Sequence, residues 1–103
     1  MNHEKWPSEA RFKISEDALS RRFNEDKVAL VHMKTKRTHV LNSTAAVIWK
    51  MIAAGESRGE MQIRLKTEYP VNEAELSDEI DKLLSILKAE LFIELLEIRN
   101  GDQ

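Results

Sequence analysis

Leu41-Asn42-Ser43-Thr44-Ala45-Ala46-Val47-Ile48-Trp49-Lys50-Met51-Ile52-Ala53-Ala54 is the stretch that decides the fold. Asn42 suits a helix N-cap, because its side-chain oxygen can accept an orphan amide of the first turn. Val47, Ile48, Trp49, Met51 and Ile52 then give the helix an apolar face. The residues before it, Lys36, Arg37, Thr38 and His39, read as a short polar strand. A polar strand docked directly on a helical core implies a small sheet with one open edge. Such an edge can accept the backbone of another chain.

Working outward toward the N-terminus, Arg11 to Leu41 reads as strands. Ala18–Phe23 alternates loosely, Asn24-Glu25-Asp26 supplies turn chemistry, and Val28–Val31 is apolar and rich in β-branched residues. Lys34-Thr35-Lys36 reads as a turn from which Thr38–Leu41 returns. The expectation is an antiparallel sheet of two or three strands. Met1–Ser8 is polar, contains Pro7 and does not look like a signal peptide; it reads as a loose tail on which Trp6 can dock.

After Asn42 the period becomes helical. The first helix spans roughly Ser43–Ala54 and stops near Gly55. Ser57 with Glu60 forms a capping box for the second, whose Met61, Leu65 and Tyr69 share one face and which Pro70 ends. Asn72 with Glu75 gives a third start, with Val71 and Leu76 placed as a hydrophobic staple. The third helix is the longest, and its apolar stripe is about 160° wide. Ile80, Leu84, Leu87 and Leu91 lie on one flank; Leu76, Leu83 and Ile86 lie on the other. Two short helices cover only part of so wide a stripe. The spare flank faces a partner, the sheet or another copy of the chain, and periodicity does not choose among them. Leu91–Ile98 reads equally as more helix or as a final strand, and Asn100–Gln103 as a frayed end.

The 103 residues fit one domain, here residues 11–98 between tails at 1–10 and 99–103. No cysteine is present, so disulfides and thiolate metal sites are excluded and a reducing cytoplasm is expected. The apolar runs Val28–Val31 and Leu91–Ile93 are too short to span a bilayer. The net charge of −2 is divided unevenly, +4 over residues 1–50 and −6 over residues 51–103.

Catalytic chemistry finds little support. His3, His32 and His39 never fall at i, i+4 on a helix. A pair at His32 and His39 would lack the third ligand of a catalytic zinc, and both read as solvated strand residues. Gly55, Gly59 and Gly101 form no phosphate loop. Glu73, Glu75, Asp78, Glu79 and Asp81 crowd one helix start, where the dipole and solvent account for them. No catalytic residue, metal site or cofactor is expected. A sheet with three helices suits a winged-helix DNA-binding regulator, the alternative reading. The third helix argues against it: residues 72–90 carry a net −4, which repels a duplex. An extended peptide paired with the strand fits better, with the basic rim of Lys34 and Lys36 favouring acidic residues in that peptide.

The ordered set Leu41-Asn42, Ala45-Ala46, Ile48-Trp49, Gly55, Ser57, Met61, Leu65, Tyr69, Ile80, Leu83, Leu84 and Leu87 resembles the PqqD family, also called RiPP precursor peptide recognition elements. The match runs from about Arg11 to Ile93. The resemblance implies an α+β, winged helix-turn-helix-like fold: an N-terminal antiparallel sheet of three strands, then three helices. It implies a non-catalytic protein that binds the leader of a ribosomally made precursor peptide; the sequence leaves monomer or homodimer open, and the cytoplasm is expected from the lack of cysteine. That leader lies as an added antiparallel strand between the third strand and the third helix. The next partner is a peptide-modifying enzyme, either a radical SAM enzyme or, in lasso peptide pathways, a leader protease and a cyclase. Carried onto this chain, the strand is Arg37, Thr38, His39, Val40 and Leu41, and the facing wall is Leu76, Glu79, Leu83 and Ile86. Three departures stand out. Lys34-Thr35-Lys36 lacks the family's turn glycine, Thr38 and His39 stand where aromatics are common, and no glycine closes the last helix.

Overall fold

A computed structural model describes residues 4–25 and 27–96. The expectations for His3, Asp26, Glu97, Ile98 and the ends at 1–3 and 99–103 lie outside the described residues.

Val28–Val31 lies within β3 (Lys27–His32), the centre of a three-stranded antiparallel sheet ordered β2 (Ala18–Asn24), β3, β4 (Thr38–Leu41). β3 alternates in depth: Val28, Leu30 and His32 are buried, while Ala29 and Val31 are half-buried on the outer face. That alternation fixes the register, since a slip of one residue would turn the core side chains to solvent. The fold is α+β with three helices, as expected, but the sheet is not a single N-terminal unit of three strands. An additional short strand, β1 (Phe12–Ile14), precedes it, and the chain returns after the last helix as β5 (Ile93–Leu95) to pair with β1. The register sets Phe12 opposite Leu95 and Ile14 opposite Ile93. The strand facing the helices is thus fourth in the chain, and Arg37 belongs to the turn before it.

The caps explain where each helix starts. Asn42 accepts from the Ala45 amide at 2.9 Å and opens α1 (Ser43–Ala53). Ser57 and Glu60 form the reciprocal box of α2 (Arg58–Glu68). Asn72 accepts from Ala74 and Glu75 at α3 (Glu73–Ala89). At α2 the Ser57 amide, helped by the Arg11 charge, holds the exposed Glu60 carboxylate below its ordinary pKa. A lowered value means that this cap is present at neutral pH and is lost only as pH falls through it.

α1 and α3 end in the same motif with different residues. After α1 the Glu56 amide donates to the Met51 carbonyl and the Gly55 amide to Ile52, with Gly55 at φ 82°. After α3 the Phe92 amide donates to Leu87 and the Leu91 amide to Lys88, with Leu91 at φ 69°. Both are Schellman caps, whose left-handed position normally takes glycine. Leu91 adopts it with a side chain that is 55% exposed. Leu91→Gly should therefore stabilise the protein by about 0.5–1 kcal/mol, the steric relief outweighing the flexibility gained by the unfolded chain. Urea unfolding midpoints check this.

The core joins Phe12, Leu30, Leu41, Ile48, Ile52, Met61, Leu65, Ile80, Leu84, Leu87, Phe92 and Ile93. The described part of the expected N-terminal tail is docked rather than loose. Trp6 is buried edge-on against Phe12, Lys88 sits over its ring, and Ala10 is fully buried. Asp81 does not serve the solvated helix start. It is buried and holds Arg58, itself buried, through contacts of 2.8 and 3.2 Å, and accepts the Trp6 amide at 3.1 Å. Arg58 also donates to the Ser77 carbonyl and hydroxyl and to Gln62.

Candidate functional site: the β4 edge and the α1–α3 cleft

β4 joins the sheet through one edge only. The His32 amide donates to the Arg37 carbonyl at 2.9 Å, and Leu30 and Val28 face His39 and Leu41. Hydrogen-bonded pairs alternate along an antiparallel ladder. The amides and carbonyls of His39 and Leu41 therefore point at β3, and those of Thr38 and Val40 point away. No strand among the described residues pairs with that outer side.

The side chains alternate to match. Leu41 is buried in the core and His39 is half-buried, while Thr38 and Val40 are exposed. His39 lies against Phe92, with Nδ1 3.5 Å from the Glu90 carboxylate, so β4 is held beside the C-terminal end of α3. His32 is not a solvated strand residue. It is buried edge-on against Phe92 as well, and its Nδ1 accepts the amides of Lys34 and Thr35. That imidazole shapes the turn before β4, where Lys36 takes φ 67° in place of a glycine. Among the described residues no group of three or more His, Cys, Asp or Glu is placed to hold a metal ion.

Where β4 ends and α1 begins, a cleft of about 310 Å³ opens between α1 and α3. Asn42, Thr44, Ala45 and Ile48 form one side; Asp78, Glu79, Lys82, Leu83 and Ile86 form the other. A smaller hollow of about 110 Å³ continues it toward Tyr69, Val71, Glu75 and Leu76, sharing Thr44 and Glu79. The larger volume is at the low end for small-molecule sites and suits a few side chains.

Of the nine site residues read from sequence, Glu79, Leu83 and Ile86 meet in the main cleft. Leu76 is 4% exposed and reaches only the smaller hollow. Leu41 belongs to the core. Arg37, Thr38, His39 and Val40 line neither hollow; Thr38 and Val40 supply the open backbone edge, and His39 the link to α3. Sequence reasoning missed Asn42, Thr44, Ala45, Ile48, Asp78 and Lys82 as residues of the main cleft. The small residues Thr44-Ala45 in a first helical turn, directly after an edge strand, were the available signal.

Residues 27–93 match the family model described as Coenzyme PQQ synthesis protein D (PqqD). The chain belongs to the PqqD family. The matched span runs from β3 to the first residue of β5 and includes the open edge, the cleft and all three helices. No curated protein matches the sequence. Two solved structures share the fold of this PqqD-family chain. One, TbiB1 in complex with the TbiA(beta) leader peptide, has a TM-score of 0.74 at 24% identity, covering 80% of this chain and 94% of that one. The other, lasso peptide synthetase B1 complexed with the leader peptide, also scores 0.74, at 21% identity with coverages of 82% and 98%. No helix among the described residues is long and apolar enough to cross a membrane.

Proposed function

We propose that this PqqD-family chain is a non-catalytic recognition protein that binds the leader of a ribosomally made precursor peptide. The observation that carries this reading is the unpaired outer edge of β4 beside the apolar floor of Leu83 and Ile86. An antiparallel strand added there bonds the amides and carbonyls of Thr38 and Val40. Its alternate side chains point to the same face as His39 and Leu41, toward α3. Both structural neighbours are described with a leader peptide, which supports the same reading. Tethering one end of the precursor raises the local concentration of the rest at a modifying enzyme, a radical SAM enzyme or a leader protease with a cyclase. The chain works in the cytoplasm, as monomer or homodimer, and its helices with the β1–β5 pair form a winged-helix-like frame that does not suit a duplex, because α3 is acidic.

Selection of a displayed random-peptide library on the immobilised chain tests the proposal, followed by anisotropy titration of an enriched peptide. Val40→Pro removes an outward amide while leaving the bonds to β3 in place. It should weaken the enriched peptide about tenfold, the equivalent of one lost hydrogen bond with added steric block, with an unchanged circular dichroism spectrum. Absence of enrichment, or normal affinity of folded Val40→Pro, overturns the proposal. So does retention of duplex DNA in a low-salt gel shift without peptide binding.

A further inference from the structure

The two ends of the groove carry opposite charge. At the Asn42 end, the α3 wall presents Glu75, Asp78 and Glu79 against Lys82. The helix dipole compensates carboxylates only within the first turn, so it does not cancel Glu79. At the Thr38 end, the turn presents Lys36 and Arg37, and the carboxylate at that end of α3, Glu90, is half-buried against His39. Lys34, also in that turn, is occupied by Asp17 at 3.8 Å. Among the described residues, Glu75, Glu79, Lys36 and Arg37 form no ion pair of their own.

The geometry keeps the ends apart. Arg37 to Asn42 is five residues of extended chain, about 16 Å. Glu79 to Glu90, the stretch of α3 beside it, is eleven helical residues, also about 16 Å. That is about twice the screening length at physiological salt, so each end acts on its own part of a ligand. β2, β3 and β4 are antiparallel, and an antiparallel addition makes the stronger ladder. The ligand then enters with its N-terminal side beside Glu75 and Glu79 and leaves past Lys36 and Arg37.

We infer that the groove selects an extended peptide of defined charge order: Lys or Arg first, apolar side chains over Leu83 and Ile86, then Asp or Glu. This inference rests on the peptide-binding reading and adds direction and chemistry to it. The basic turn favours acidic residues, as the sequence suggested, but only in the C-terminal part of the ligand.

The same library selection at low salt is the test. Enriched peptides should carry basic residues before the apolar centre and acidic residues after it. A synthetic peptide with the charge order reversed should bind about tenfold more weakly, and that difference should collapse in high salt. Glu75→Lys with Glu79→Lys should erase the basic preference at the first end only. Lys36→Glu with Arg37→Glu should erase the acidic preference at the second. Enriched peptides with no charge bias, or with the opposite order, overturn the inference while their enrichment upholds peptide binding. Failure to enrich any peptide overturns both.

Discussion

Leu83→Asp is expected to abolish peptide binding and leave a folded protein. Leu83 sits on the cleft floor with Ile86, half-buried at the margin of the core. A carboxylate there must be desolvated when a peptide's apolar side chain arrives, and Lys82, next along the helix, is exposed and does not face it. Losing a packed anchor at the centre of an interface costs about 2 kcal/mol, and an unpaired buried charge costs at least about 1 kcal/mol more, so affinity should fall by at least about 100-fold. The fold should survive because Ile80, Leu84 and Leu87 carry the buried stripe of α3. Stability should drop by about 1–2 kcal/mol for the packing lost. Leu83→Ala, which adds no charge, should weaken binding by a smaller factor. Ile63→Asp is the matched control: Ile63 is 69% exposed on α2, outside both hollows. Anisotropy titration with an enriched peptide, beside circular dichroism of each variant, decides. Normal affinity in a folded Leu83→Asp protein places the ligand elsewhere.

Local signals in the sequence located the helices well. Asn42, Ser57 and Asn72 announce helix starts through side-chain oxygens that act within three residues, and each does so in the structure. The wide stripe of α3 divides only in part as read: Ile80, Leu84 and Leu87 go inward and Leu83 and Ile86 remain at the cleft, but Leu76 of the spare flank is buried in the core and Leu91 of the inward flank lies exposed beyond the helix end. What the sequence did not display depends on distant partners. Nothing near Phe12 or Leu95 indicates that they pair. The Schellman cap at Leu91 lacked its usual glycine, so the end of α3 had no marker and Ile93–Leu95 stayed ambiguous between helix and strand. The β4 edge was legible as a polar strand, but which of its groups point outward follows only from the register with β3. Asp81 was read as one acid among many, because a carboxylate beside a helix start looks alike whether solvent or a buried guanidinium satisfies it.

That carboxylate sets the second large expected effect. Asp81→Ala should destabilise the protein by about 3–5 kcal/mol, because it leaves the Arg58 guanidinium buried without a counter-charge. Arg58 and Asp81 are each 4% exposed, so water does not replace the lost partner. Arg58 would keep its bonds to Ser77 and Gln62, and the Trp6 amide would lose its acceptor. Those remaining bonds favour the lower part of the range. A domain of this size loses about 4–8 °C of melting temperature per kcal/mol, so a fall of about 15–30 °C is expected. The comparison that isolates the cause is Arg58→Met with Asp81→Leu. Replacing both ions by apolar side chains removes the desolvation cost along with the attraction, and such exchanges are often neutral or better. The double variant should therefore melt well above Asp81→Ala. Because neither Arg58 nor Asp81 lines either hollow, the double variant should also bind peptide normally. Thermal unfolding by circular dichroism tests the set. An Asp81→Ala protein within about 1 kcal/mol of the parent would show that solvent reaches Arg58 once the carboxylate is gone.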